Sequence, residues 1–99
     1  MDKKDPMIVA NNVYKFLMEN DRVRVLQVTF KPGAIAKMHY HPDHIIYALK
    51  GGTLKLTSEG KPSDVKLEAG QVMFLNAQNH EAENTGKTTV DLVVVELKK

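Results

Sequence analysis

No stretch of this chain runs far before a turn signal stops it. Asn20-Asp21, Lys31-Pro32-Gly33, Pro42-Asp43, Gly51-Gly52, Ser58–Pro62, Ala69-Gly70, Asn76–Asn79 and Thr85-Gly86-Lys87 punctuate it throughout. What lies between them is short and rich in β-branched, aliphatic and aromatic residues, which suits strands and not helices. Arg22–Phe30 alternates polar and apolar before both faces become mostly apolar, and Thr53–Thr57 alternates strictly. Val13–Glu19, Ile35–His41, Ile45–Leu49, Asp64–Leu67, Val72–Leu75, His80–Glu83 and Thr89–Leu97 complete the expected strands. Val13–Met18 comes nearest to a helical period, but its β-branched and aromatic content favours strand. Many short strands in 99 residues predict an all-β barrel or sandwich, read as a single domain over 1–99. Residues 1–6, closed by Pro6, read as a frayed and solvated end. Phe30, Phe74, Leu49, Leu54 and Val72 are expected to pack the barrel.

The last strand constrains assembly. Val90, Leu92 and Val94 are apolar on one face, and Val93, Val95 and Leu97 on the other. A strand apolar on both faces is covered on both. A second layer, an N-terminal arm or a partner subunit must supply the cover, and a homodimer is the expectation.

Several partners are disfavoured. The 14 basic and 12 acidic residues are mixed along the chain and leave a net charge of only +2. Six per cent aromatic residues and no Trp offer little for base stacking, so nucleic acid is not expected. MDKKDP is charged where a secretory signal is apolar, and no run approaches the roughly 18–20 apolar residues that cross a bilayer. The expected location is the cytoplasm, away from membranes. With no cysteine in the chain, any bound metal must rest on nitrogen and oxygen donors.

The histidines supply the nitrogen. Three of the four, His39, His41 and His44, fall within six residues, and His80 stands apart. Residues i and i+2 of a strand share a face about 6.5–7 Å apart. His39 and His41 therefore aim into one space while Tyr40 points away, close enough for both rings to reach one ion at about 2.0–2.1 Å. His44 opens the strand after Pro42-Asp43 and can return to the same side. His80 begins a strand whose inward set is His80, Ala82 and Asn84, with small Ala82 leaving room for a ligand. The candidate metal ligands are thus His39, His41, His44 and His80. Should His44 point away, Asp43 or Glu83 can supply oxygen, or three histidines can hold the ion with open water positions.

The stretch 33–52, GAIAKMHYHPDHIIYALKGG, resembles the first motif of the cupin superfamily, with Gly33, His39, His41 and Gly51 at matching positions. The stretch 70–84, GQVMFLNAQNHEAEN, resembles the second through Gly70, His80 and Asn84. The nearest likeness is to small single-domain microbial cupins with an MHxHPD pattern. This resemblance implies a jelly-roll β-barrel with a divalent metal inside. The chain departs from the pattern in three places. His44 stands where the family has a glutamate, the spacer after His41 is one residue short, and Asn76 and Gln78 replace a proline and a glycine.

Four neutral imidazoles would leave the full charge of a divalent ion, favouring Fe, Ni, Zn, Co or Cu over Mn and attracting an anionic small-molecule ligand. The resemblance implies a metal-dependent enzyme of dioxygenase or isomerase type acting on a small organic acid or another chelating metabolite. The alternative is a non-catalytic binding or accessory protein. No nucleophile-elbow context accompanies the Ser, His and Asp residues, and the sequence singles out no catalytic acid or base beyond the ligands.

Overall fold

The computed structural model describes residues 4–98. A four-residue helix, α1 (Pro6–Val9), precedes nine strands: β1 (Tyr14–Glu19), β2 (Val23–Phe30), β3 (Ile35–His41), β4 (His44–Lys50), β5 (Gly52–Ser58), β6 (Lys61–Leu67), β7 (Val72–Leu75), β8 (Gln78–Asn84) and β9 (Val90–Leu97). Every pairing is antiparallel. They form two sheets, ordered β1-β2-β9-β4-β7 and β3-β8-β5-β6. The architecture is the all-β jelly roll that the sequence implied. Among the described residues no helix is long and apolar enough to cross a membrane.

Strand alternation decides what lies inside. Leu26, Val28 and Phe30 of β2, Val90, Leu92 and Val94 of β9, Ala48 of β4, Leu54 of β5, Leu67 of β6 and Ala82 of β8 are all buried in one core. Inward phase on β2 also includes Arg24, and on β9 Glu96, so the core side of the first sheet carries an ion pair at one end. Two glycines hold the turns that the motifs predicted. Gly33 has φ +84°, the left-handed region that a side chain rarely adopts. At Gly51 a Cβ would stand 2.3 Å from the Leu67 carbonyl oxygen, a clash no real side chain tolerates.

The same alternation overturns part of the expected core. Val72, Phe74 and Leu49 are 60%, 55% and 44% exposed, because Met73 and Leu75 take the inward phase of β7 and Ala48 that of β4. Phe30 and Leu54 are buried as expected.

The expected frayed end is also corrected for residues 4–6; residues 1–3 lie outside the described residues. The Asp5 carboxylate accepts from the Met7 amide at 2.9 Å and caps α1, whose first position is Pro6. That arrangement suits proline, whose missing N–H is not needed there. Pro6 is buried, and the Lys4 carbonyl accepts from the Tyr40 amide. A single helical turn is too short to leave a period in sequence, so α1 was not anticipated.

Asn84 ties the two sheets together near the Gly33 turn. Its buried amide nitrogen donates to the carbonyls of Phe30 at 2.9 Å and Thr88 at 2.8 Å, and its oxygen accepts from the Gly86 amide at 2.9 Å. Replacement by Ala removes three hydrogen bonds and leaves the buried Phe30 carbonyl without this partner, so Asn84→Ala is expected to destabilise the fold by about 2–4 kcal/mol. Urea denaturation followed by circular dichroism measures this.

Candidate metal centre

β3 carries two of the histidines into the core by way of a bulge. Its register against β8 shifts between Ala36 and His39, so residues three apart both face inward. His39 then lies opposite His80, and His41 opposite Gln78. His44 enters from β4, across the interior, paired with Glu96 of β9. All four rings are buried, none more than 4% exposed. Ring centroids are 4.8 Å apart for His39–His41 and His39–His80, 5.2 Å for His41–His80 and 4.5 Å for His41–His44. The inward set His80, Ala82 and Asn84 is as the sequence predicted, and Tyr47 is on the opposite face from His44.

One nitrogen of every ring is already engaged. His39 Nδ1 lies 2.5 Å from the Lys37 carbonyl, within the bulge, and His44 Nδ1 lies 2.7 Å from the Pro42 carbonyl. A carbonyl only accepts, so both rings carry their proton on Nδ1 and leave Nε2 with its lone pair. His41 Nδ1 donates to Glu96 at 2.6 Å, and His80 Nδ1 to the Gln78 side-chain oxygen at 2.9 Å. With Nδ1 engaged, Nε2 is the nitrogen that each ring in its neutral form offers to a metal. One ligand nitrogen from each of His39, His41 and His80 falls within 4.8 Å of the others. These three can hold an ion. His44 is outside that set, but its Nε2 is buried and has no hydrogen-bond partner. An orphaned buried acceptor costs about 1–3 kcal/mol. The donor set of neutral, pre-oriented imidazoles fits a divalent transition metal.

Of the alternative oxygen ligands, Asp43 is occupied elsewhere, accepting from the Ala77 amide at 2.8 Å across a turn. Glu83 pairs opposite Ile35 and Lys55, on the outer side of its strand.

Two elements of the centre escaped the sequence reading. Tyr14 of β1 is buried, and its hydroxyl lies 2.8 Å from His41 Nε2 and 3.3 Å from His39 Nε2. The phenol donates to the nearer nitrogen; burial first, and then the Glu96 charge, push its pKa well above the usual value. The second is a chain of charges behind His41. Glu96 accepts from Arg24 at 2.8 Å, and Arg24 also donates to both Asp5 oxygens at 3.0 and 3.1 Å. Burial alone would raise the Glu96 pKa, but the hydrogen bonds from His41 and Arg24 hold it below its ordinary value. The signal was present in sequence: Arg24 and Glu96 are charged residues in the otherwise apolar inward phases of their strands. Gln78, which replaces a family glycine, acquires the role of orienting His80.

A cavity adjoins the rings. Its volume is about 60 Å³, and among the described residues it is bounded by His41, His44, His80, Tyr14 and otherwise apolar side chains.

Two facing antiparallel sheets that enclose a cluster of buried imidazoles beside an apolar cavity define a small jelly-roll barrel with a candidate metal centre inside. The chain matches the family profile described as Cupin domain over residues 26–96 and belongs to that family. Solved structures agree on the fold. A cupin domain from Bordetella pertussis is 22% identical with a TM-score of 0.82, over 100% of this chain and 99% of that one. A Thermotoga maritima protein described as a predicted oxalate decarboxylase is 26% identical with a TM-score of 0.65, over 87% of this chain and 79% of its own. A polyketide cyclase from Streptomyces resistomycificus is 21% identical with a TM-score of 0.64, over 87% of this chain and 64% of its own. No curated protein matches the sequence.

Burial, reinforced by neighbouring rings, lowers the pKa of His39 and His44 from 6.5 to about 4, and that of His80 to about 2. Above pH 6.5 these rings are neutral in both folded and unfolded chains and contribute no pH dependence. Between 6.5 and 4 the unfolded chain takes up protons that the folded one refuses, so stability falls with pH. Metal-stripped protein is therefore expected to lose stability steadily across that window. Urea midpoints at pH 7.5, 6 and 5 should decline in order; a flat series would mean the rings are hydrated.

Proposed function

We propose that this cupin is a metal-dependent enzyme of dioxygenase or isomerase type acting on a small, chelating organic acid. The observation that carries the reading is the common orientation: four buried rings each engage Nδ1 with a neighbouring group and leave Nε2 as the nitrogen a metal can take. Buried polar groups ordinarily pair with one another, as Asn84 does here, so unprotonated nitrogens gathered in an apolar interior suit a cation.

His39, His41 and His80 hold the ion in this reading, and His44, whose Nε2 is otherwise orphaned, closes the set. Nitrogen donors without carboxylate favour Fe, Ni, Zn, Co or Cu over Mn. The bound ion supplies Lewis acidity toward a chelated oxygen or, for Fe, Ni or Cu, a redox centre. The chain's own residues do the rest. Glu96 fixes the His41 tautomer and raises the ring's basicity. Tyr14 holds its hydroxyl beside the His41 and His39 Nε2 atoms, where its proton is placed to serve a developing negative charge. Apolar walls exclude water and strengthen every electrostatic contact inside.

A non-catalytic binding module is the second reading, favoured by the absence of any charged acid or base among the cavity-lining residues. Oxygen uptake by Fe(II)-loaded protein over a panel of diketones, thiols and hydroxy acids separates the two. Turnover supports the enzyme; silence with ligand-induced thermal shifts supports the module.

Protein purified without a histidine tag is expected to bind close to one equivalent of Ni(II) or Zn(II) in equilibrium dialysis. His80→Ala and His44→Ala should each weaken binding at least about tenfold, and Glu96→Gln by about ten- to a hundredfold. His39→Ala with His41→Ala should remove stoichiometric binding. Unchanged affinity in the double variant would sink the metal reading.

The assembly proposed is a homodimer through the outer face of the five-stranded sheet. Met18 faces Val25, Val25 faces Val95, Val95 faces Ile45 and Ile45 faces Phe74, so one apolar rung crosses all five strands. Val93, Tyr47 and Val72 extend it in the next rung. A self-complementary patch of this kind suits a two-fold interface. Light scattering at micromolar concentration should give twice the chain mass, and Phe74→Glu should halve it.

A further inference from the structure

We infer that the cavity takes an amphiphilic ligand, with one oxygen-bearing head at the imidazole cluster and an uncharged hydrocarbon body. The head rests on the metal-centre reading above; the body rests on the walls alone. Among the described residues, no Lys, Arg, Asp or Glu side chain lines the cavity, and its polar groups come from His41, His44, His80 and Tyr14. The buried carboxylate behind His41, Glu96, is already held by His41 and Arg24. Leu54, Leu67 and Phe30 close the interior of the cavity, and Ile46, Leu56, Val65 and Met73 line it while only partly buried.

These walls discriminate. A compact diacid would bring a second carboxylate against leucine and valine with no cation to receive it, and an unpaired charge in such surroundings is strongly disfavoured. A hydrocarbon body finishes burying apolar surface that is half-exposed without it, and gains roughly three- to fourfold in affinity for each methylene removed from water. The space is limited. A cavity of about 60 Å³ suits a short chain or a single ring better than a long acyl tail. The ligand class is thus a monoacid or enol with a compact apolar body.

Isothermal calorimetry on Zn(II)-loaded protein with acetate, butanoate, hexanoate, oxalate and succinate tests this directly. Butanoate is expected to bind about tenfold or more tighter than acetate, and succinate at least about tenfold weaker than butanoate. Val65→Lys, on a partly buried wall and with folding verified by its melting curve, should erase the preference for butanoate over succinate. Equal affinities for acetate and hexanoate, or a diacid bound tighter than butanoate, would overturn the inference while leaving the metal centre intact. A parallel series on chelator-stripped protein uses ethanol, 1-butanol and 1-hexanol, which need no metal. Affinity that rises with alkanol length supports the hydrocarbon subsite even where metal titrations fail. No length dependence in either series overturns it whatever the metal result.

Discussion

Four imidazoles are sealed from water between two sheets, and the barrel gives each Nδ1 a hydrogen-bond partner. Burial does the larger part, pushing three of the rings well below the ordinary histidine pKa. The acceptors then choose which nitrogen keeps the proton. Three come from two residues upstream: the carbonyls of Lys37 and Pro42 and the side chain of Gln78. The orientation of those rings is therefore largely a local property of the strand, and does not depend on distant partners.

His41 is the exception, and the difference has electrostatic consequences. Its acceptor is a carboxylate drawn from β9, itself held by an arginine on β2. Removing one member of such a buried set is far more damaging than the set's net contribution would suggest, because the remaining charges lose their compensation. Arg24 in turn reaches Asp5, which caps α1. The N-terminal turn, the five-stranded sheet and the imidazole cluster are thus one electrostatic unit. Tyr14, on the strand that follows α1, places its hydroxyl against two of the rings from the same quarter.

How much of this was legible in sequence follows from the period of the signal. Strand alternation is a two-residue pattern, so His39 with His41, and His80 with Ala82 and Asn84, could be put on one face without knowing the fold. The family's glycines marked Gly33 and Gly51, where the backbone admits no ordinary side chain. Phase was harder. Val72 and Phe74 are apolar yet face outward, because nothing in a four-residue run says which half of it meets the core. Tyr14, Arg24 and Glu96 come from strands distant in the chain and meet only through sheet order β1-β2-β9-β4, which no local pattern encodes. The charged residues at inward positions of β2 and β9 were the one available hint.

The bulge in β3 has a consequence for how this chain can vary. Ala36 and His39 share a side only because one surplus residue lies between them. Losing a single codon from the Lys37-Met38 pair would restore an even ladder upstream of His39. Ala36 and His39 would still share a side, now two residues apart, but the bulge that brings the Lys37 carbonyl to His39 Nδ1 would be gone. Substitution at either position is tolerable by comparison, since Lys37 lends only its backbone oxygen. Length, more than identity, is what this short segment must preserve.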